Sequence, residues 1–161
     1  MLLAEAARLF APSAYTCADL RLPLFDEDLE AAEGTPESVA ILHGQIIAAD
    51  AVIIATPEYN KNLSGVLKNA LDWVSRARPA AWAKKPVAIM SASTGATGGV
   101  RAQYSLRHCM TTFNPRILQA PEIMIANAAA MFDDNGTLTN ERSLALLTKQ
   151  IEALKAEVGR G

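Results

Sequence analysis

The stretch Ala51 to Trp73, A-V-I-I-A-T-P-E-Y-N-K-N-L-S-G-V-L-K-N-A-L-D-W, decides the fold because its character changes twice. Ala51 to Ala55 is a short apolar run rich in β-branched residues, bounded by Asp50 and Thr56-Pro57, and predicts a strand buried on both faces. From Ser64 onward Val66, Leu67, Ala70, Leu71 and Val74 recur at three- and four-residue spacing, with Lys68, Asn69, Asp72 and Ser75 opposite, which is the stripe of an amphipathic helix. Between them lies a polar loop. In open α/β sheets ligands bind outside the carboxyl ends of the strands, so P-E-Y-N-K-N is the first place to look for chemistry.

The same order of elements extends outward. Met1 to Phe10 places Leu2, Leu3, Ala6, Ala7 and Phe10 on one helical face, with Glu5 and Arg8 off it. Pro12-Ser13 ends that helix, Ala14 to Leu20 predicts a short strand, Leu22 to Phe25 reads as extended, and Asp26 to Gly34 reads as a solvated acidic loop. Thr35-Pro36-Glu37 marks a helix start capped by the threonine, whose buried face is Val39, Leu42, Ile46 and Ala49. His43 falls on its flank, where a packed or exposed histidine outweighs a catalytic one. Arg76 to Lys85 has no clear period, and Pro86 opens a second buried strand, V-A-I-M-S-A. The turn S-T-G-A-T-G-G from Ser93 to Gly99 follows, then a helix with Ala102, Leu106, Cys109 and Phe113 on one face. Arg116 to Ala126, interrupted by Pro121, predicts an outer strand or two short ones. Asp133 to Gly136 is a turn, and Thr139 caps a last helix with Leu144, Leu147, Ile151, Leu154 and Val158 on its stripe. Alternating helices and strands predict a parallel sheet covered on both faces.

Composition narrows the function classes. The 161 residues suit one domain, 1–161, half of them apolar and a fifth charged. A net charge of −2 with 15 basic residues leaves no electrostatic footprint for nucleic acid. Cys17 and Cys109 stand far apart with no metal-ligand spacing, so they read as small buried hydrophobes in a reducing compartment and no metal site is expected. No run reaches the roughly 18 apolar residues of a membrane span, and the expectation is a soluble cytoplasmic protein.

Two loops hold the candidate chemistry. Ser91 to Gly99 follows a strand and opens a helix; its glycines permit positive φ and bring amide N–H groups toward a ligand. It is neither G-x-G-x-x-G nor a Walker loop, and a plain strand-to-helix turn also uses glycines. Thr56 to Asn60 sets a rigid proline, a carboxylate, a phenol and an amide at one strand end, a combination suited to a flat heteroaromatic ring that needs stacking and edge hydrogen bonds. No second carboxylate, histidine or serine is spaced to partner Glu58, which removes glycosidase and triad chemistry; a surface carboxylate is the plain alternative.

The motifs T-P-E-Y-N, G-V-L-K-N-A-L-D-W from Gly65, K-P-V from Lys85 and G-G-V-R-A-Q-Y-x-L-R from Gly98 resemble the NAD(P)H-dependent FMN reductase family, closest to the bacterial quinone and chromate reductases, from about Leu20 to the carboxyl end. The resemblance implies a flavodoxin-like three-layer α/β sandwich with strand order 2-1-3-4-5, FMN at the carboxyl edge, and a homodimer or homotetramer. It places Pro57, Glu58, Tyr59 and Asn60 against the isoalloxazine, with Ser91, Thr94, Gly95 and Gly98 along its other edge. Arg101, Tyr104 and Glu122 match positions of a subunit-bridging network. The implied reaction is ping-pong: hydride passes from NAD(P)H to flavin, and a quinone or similar acceptor (flavin, chromate, a nitroaromatic) takes the electrons in the same pocket. The cofactor carries the chemistry, which accounts for the missing acid/base pair. The choices of acceptor and of NADH or NADPH stay open; Lys61, Arg76 and Arg78 are the candidates for a 2′-phosphate.

The chain departs from the family in one place. Relatives open with a strand and a G-S-x-R-x-x-S-x-N loop that holds the FMN phosphate, and no G-S-x-R occurs from Met1 to Gly161. Three lost charged hydrogen bonds at about 1.5–3 kcal/mol each weaken binding by at least about a thousandfold. The expectation is a natural polypeptide that begins upstream; the alternatives are a flavin-poor, non-catalytic scaffold or assembly subunit and a flavodoxin-type electron carrier.

Overall fold

The computed structural model, which describes residues 1–160, has six α-helices and four strands in the order α1 (Leu2–Phe10), α2 (Glu27–Glu33), α3 (Glu37–Ala48), β1 (Val52–Thr56), α4 (Gly65–Arg76), β2 (Pro86–Ala92), α5 (Val100–Met110), β3 (Arg116–Ile117), β4 (Ile123–Ile125) and α6 (Glu141–Val158), so helices and strands alternate only from α3 to β3. All pairings are parallel. β1 lies along β2 in register Val52↔Val87 through Thr56↔Ser91, and β3 and β4 both pair with the other edge of β2. The break between β3 and β4 contains Pro121, which lacks a ladder donor, so the predicted outer segment is two short strands.

β2 is buried from Pro86 to Ser91 because side chains alternate into two cores. Val87 and Ile89 join Leu42 and Ile46 of α3, Leu67, Leu71 and Val74 of α4, and Leu106 and Met110 of α5. Met90 faces the other way, onto Leu2 and Ala6 of α1 and Leu147 and Ile151 of α6. The result is three layers, α1 and α6 below the sheet and α3, α4 and α5 above. No helix among the described residues is long and apolar enough to cross a membrane.

Several local expectations are corrected. The acidic run from Asp26 is a helix: the Asp26 carboxylate accepts from Asp28 N at 2.9 Å and Leu29 N at 3.0 Å, and acids in a first turn suit the helix dipole. Glu30 pairs with Arg76 at 2.8 Å, fixing α2 to α4. Neither threonine serves as a cap: α3 begins after Pro36, and Asn140 caps α6 by accepting from Ser143 N at 2.9 Å. Glu5 is buried rather than off the face of α1, with its charge met by Arg8 at 2.5 Å. His43 is a packed residue as expected, its Nε2 2.8 Å from the Pro79 carbonyl.

The largest correction concerns β1. Residues 14–20 form no strand among the described residues, and β1 pairs only with β2. Between the two segments runs a cleft of about 890 Å³, walled below by Leu3, Ala7 and Phe10 of α1 and Leu154 of α6. Val52 and Ile53 are therefore half-buried and Ala55 exposed, although Ile54 is buried. Cys17 is exposed at this cleft and not a buried hydrophobe; Cys109 is half-buried. Residues 20–25 are anchored from above instead: the Pro23 carbonyl accepts from Trp73 Nε1 at 2.8 Å and Asn69 Nδ2 at 2.9 Å, and Phe25 meets Trp73 edge to face at 4.9 Å.

Candidate functional site

The two loops singled out in the sequence leave the carboxyl ends of neighbouring strands. Since Thr56 pairs with Ser91, the segments that follow β1 and β2 emerge side by side. After β1, Tyr59 and Asn62 bond each other in both directions at 3.0 Å, closing a hairpin whose central residues Asn60 and Lys61 have φ of 49° and 66°. Positive φ at both central positions defines the tight hairpin turn that favours asparagine. The turn lifts Tyr59 and Asn60 into solvent, with Pro57 half-buried below them. Asn62 ties it to α5, its Oδ1 accepting from the Ser105 hydroxyl at 2.5 Å.

The loop after β2 is held from beneath. Gly98 and Gly99 have φ of +60° and +87°, and a Cβ on Gly98 would stand 2.7 Å from the Met124 backbone, while one on Gly99 would stand 2.8 Å from Ser91 Cβ. Only glycine allows the chain to enter α5 this close to the sheet. Ser91 is fully buried, and its hydroxyl donates to the Gly98 carbonyl at 2.5 Å. Thr94, Gly95, Ala96 and Thr97 are exposed above this foundation, and the amides of Thr94, Ala96 and Thr97 bond to no other described residue. They are free to donate to an acceptor at the sheet edge.

Glu58 joins the two loops. Its carboxylate accepts from the Arg101 amide in the first turn of α5 at 3.0 Å and pairs with the Arg101 guanidinium at 3.3 Å. The helix dipole favours a carboxylate there. The side chain is only 11% exposed, so Glu58 serves as the clamp between the loops. Arg101, read in the sequence as a subunit contact, has an in-chain partner; Tyr104 and Glu122 are exposed.

The structure thus brings Pro57, Glu58, Tyr59, Asn60, Thr94 and Gly95 to one edge, with Ser91 and Gly98 as its floor. Sequence reasoning missed Gln103. Its Nε2 donates to Ser91 Oγ at 2.8 Å and to the Ile123 carbonyl at 2.6 Å from a fully buried position. The available signal was an amide spaced three and seven residues before Leu106 and Met110, on the core face of α5. The arrangement offers an exposed phenol, free amides and a dipole end, and contains no general acid/base pair. It suits a planar, acceptor-rich ring better than a group requiring proton transfer from the protein. Among the described residues no cluster could hold a metal ion.

Comparison with known proteins shows the family and the fold. A family model described as NADPH-dependent FMN reductase matches residues 1–130. An NAD(P)H-dependent FMN reductase from Pseudomonas aeruginosa is 43% identical over 139 residues, 86% of this chain and 75% of that protein. A quinone reductase from Escherichia coli K12 is 40% identical over 133 residues, 82% of this chain and 71% of that one. Among solved structures, FerB, a flavoenzyme NAD(P)H:(acceptor) oxidoreductase from Paracoccus denitrificans, superposes with a TM-score of 0.85 at 29% identity, covering 99% of this chain and 88% of its own.

Proposed function

The chain belongs to the NADPH-dependent FMN reductase family, and from that premise we propose that it is an FMN-dependent NAD(P)H oxidoreductase that reduces quinones or similar small acceptors. The observation that carries the reading is the single edge built from two strand-end loops, clamped by Glu58 on the α5 N-terminus. Bound FMN would supply the hydride chemistry. The residues present fit its ring: Pro57, Tyr59 and Asn60 along one side, and the free amides around Thr94 and Gly95 for its acceptor atoms on the other. Ser91 and Gly98 set the floor. With no acid/base pair at this edge, the protein's contribution is orientation and polarity.

The proposal extends to assembly and setting. Tyr104 is a large side chain exposed at 55%, Glu122 is exposed, and with Arg101 they are the candidate contacts through which a second copy would dock as a homodimer or homotetramer. Both cysteines are free, in keeping with a cytoplasmic location.

Equilibrium titration with FMN and with riboflavin, followed by NADH and NADPH oxidation in the presence of a benzoquinone, tests the reading. FMN is expected to bind at the ring-side groups, and the bound flavin to be reduced by a nicotinamide. Binding of neither flavin would overturn the assignment. A flavin that binds yet accepts no hydride would make the chain an electron carrier.

A further inference from the structure

Gln103 and Gln150 are both fully buried glutamines with both amide hydrogens used on the sheet, yet only one of them touches the ligand edge. Gln150 on α6 donates to the carbonyls of Ile89 at 3.1 Å and Pro121 at 2.9 Å, joining β2 to the segment before β4. Gln103 on α5 donates to the Ile123 carbonyl at 2.6 Å and to the Ser91 hydroxyl at 2.8 Å, and Ser91 passes the link to the Gly98 carbonyl. A carbonyl can only accept, so Ile123 fixes which end of the Gln103 amide points at Ser91. The Ser91 hydroxyl accepts from Gln103 and spends its one proton on Gly98. Each link in the chain therefore has a forced direction.

We propose that Gln103 is a positioning residue for the ring-binding loop: through Ser91 it fixes the Gly98 carbonyl and so the orientation in which residues 94–97 present their amides to a flavin. The inference rests on the flavin reading given above. Three features support it. The chain from Ile123 to Gly98 is buried at every link, where a hydrogen bond is stronger and its loss costs more than at the surface. It reaches Gly98 and Gly99, where the backbone lies too close to Met124 and Ser91 for any Cβ. It also begins one turn into the helix whose first-turn amide holds Glu58, so the same helix sets both sides of the edge.

The test compares Gln103→Leu with Gln150→Leu, which removes an equivalent pair of buried hydrogen bonds away from the loop. In the flavin-free protein, hydrogen exchange at the bonded amides of Gly98, Val100 and Arg101 is expected to speed up by roughly tenfold in the Gln103 variant relative to the Gln150 variant, the equivalent of about one net hydrogen bond. Flavin affinity is expected to fall by a similar factor, with a changed visible absorption envelope, in the Gln103 variant alone. Equal exchange and equal flavin spectra in the two variants would reduce Gln103 to a core residue and overturn the proposal. If the Gln103 variant does not fold, Ser91→Ala decides the matter, since it cuts the link to Gly98 while leaving the Gln103–Ile123 bond. Faster loop exchange in a chain that binds no flavin at all would instead break the functional reading.

Discussion

The two long edges of β2 and β1 are treated oppositely. β2 is hydrogen-bonded on both sides and buried from Pro86 to Ser91, whereas β1 is paired with β2 on one side and faces a cleft on the other. Where these strands end together at the carboxyl edge, polar groups are joined into networks: Glu58 to α5, Ser91 to Gly98, Gln103 to β2 and β4. Along the cleft, no hydrogen bond crosses between residues 14–20 and β1. A strand lacking a partner on one edge loses the ladder and part of its apolar packing together.

The sharpest way to break this comparison is to make one kind of change on both strands. Ile89→Ala in β2 opens a cavity in a closed core and should cost about 3–4 kcal/mol, because Ile89 is fully buried. Denaturant unfolding measures it. Gly99→Ala should come next, at about 2 kcal/mol, because it combines positive φ with a 2.8 Å approach to Ser91; its effect on flavin affinity should exceed its effect on stability. Ile53→Ala, on the cleft side of β1, should cost only about 1 kcal/mol. An Ile53 penalty matching that of Ile89 would mean that the cleft is closed in solution.

The smallest effect concerns the ion pair between Asp19 and Arg21, at the end of the stretch that pairs with no strand. Arg21 beside Asp19 holds that carboxyl down to about 2, chiefly through side-chain and backbone hydrogen bonds. With the folded value depressed, the stabilisation is fully present above the unfolded carboxylate value near 3.9 and is lost as pH falls toward 2. Arg21 is 89% exposed, so solvent screens most of it. Asp19→Asn should lower the melting temperature slightly at pH 7, and the difference should vanish near pH 2.

Much of this was legible in the chain. The 3.6-residue stripes of α3, α4 and α6 and the apolar run of β2 needed nothing but periodicity, and T-P-E-Y-N with G-G-V-R-A-Q-Y gave the family. The α2 helix was hidden because an acidic run looks like a solvated loop until Arg76 is seen opposite Glu30. The strand expected at 14–20 was hidden in the reverse sense: β-propensity measures fit to a pleated neighbour, and there the neighbour is a cleft.

By itself the sequence determined the alternation of helices and strands from α3 to α5 and the location of the candidate edge after β1 and β2, since local periodicity and residue inventory are written one position at a time. Tertiary structure alone decided that Glu58 clamps α5, that Ser91 and Gln103 lie beneath the loop, and that β1 is bonded on one side only. Those facts depend on hydrogen bonds between residues as far apart as Glu58 and Arg101 or Gln103 and Ile123, whose directions are set only when the sheet brings their backbones together.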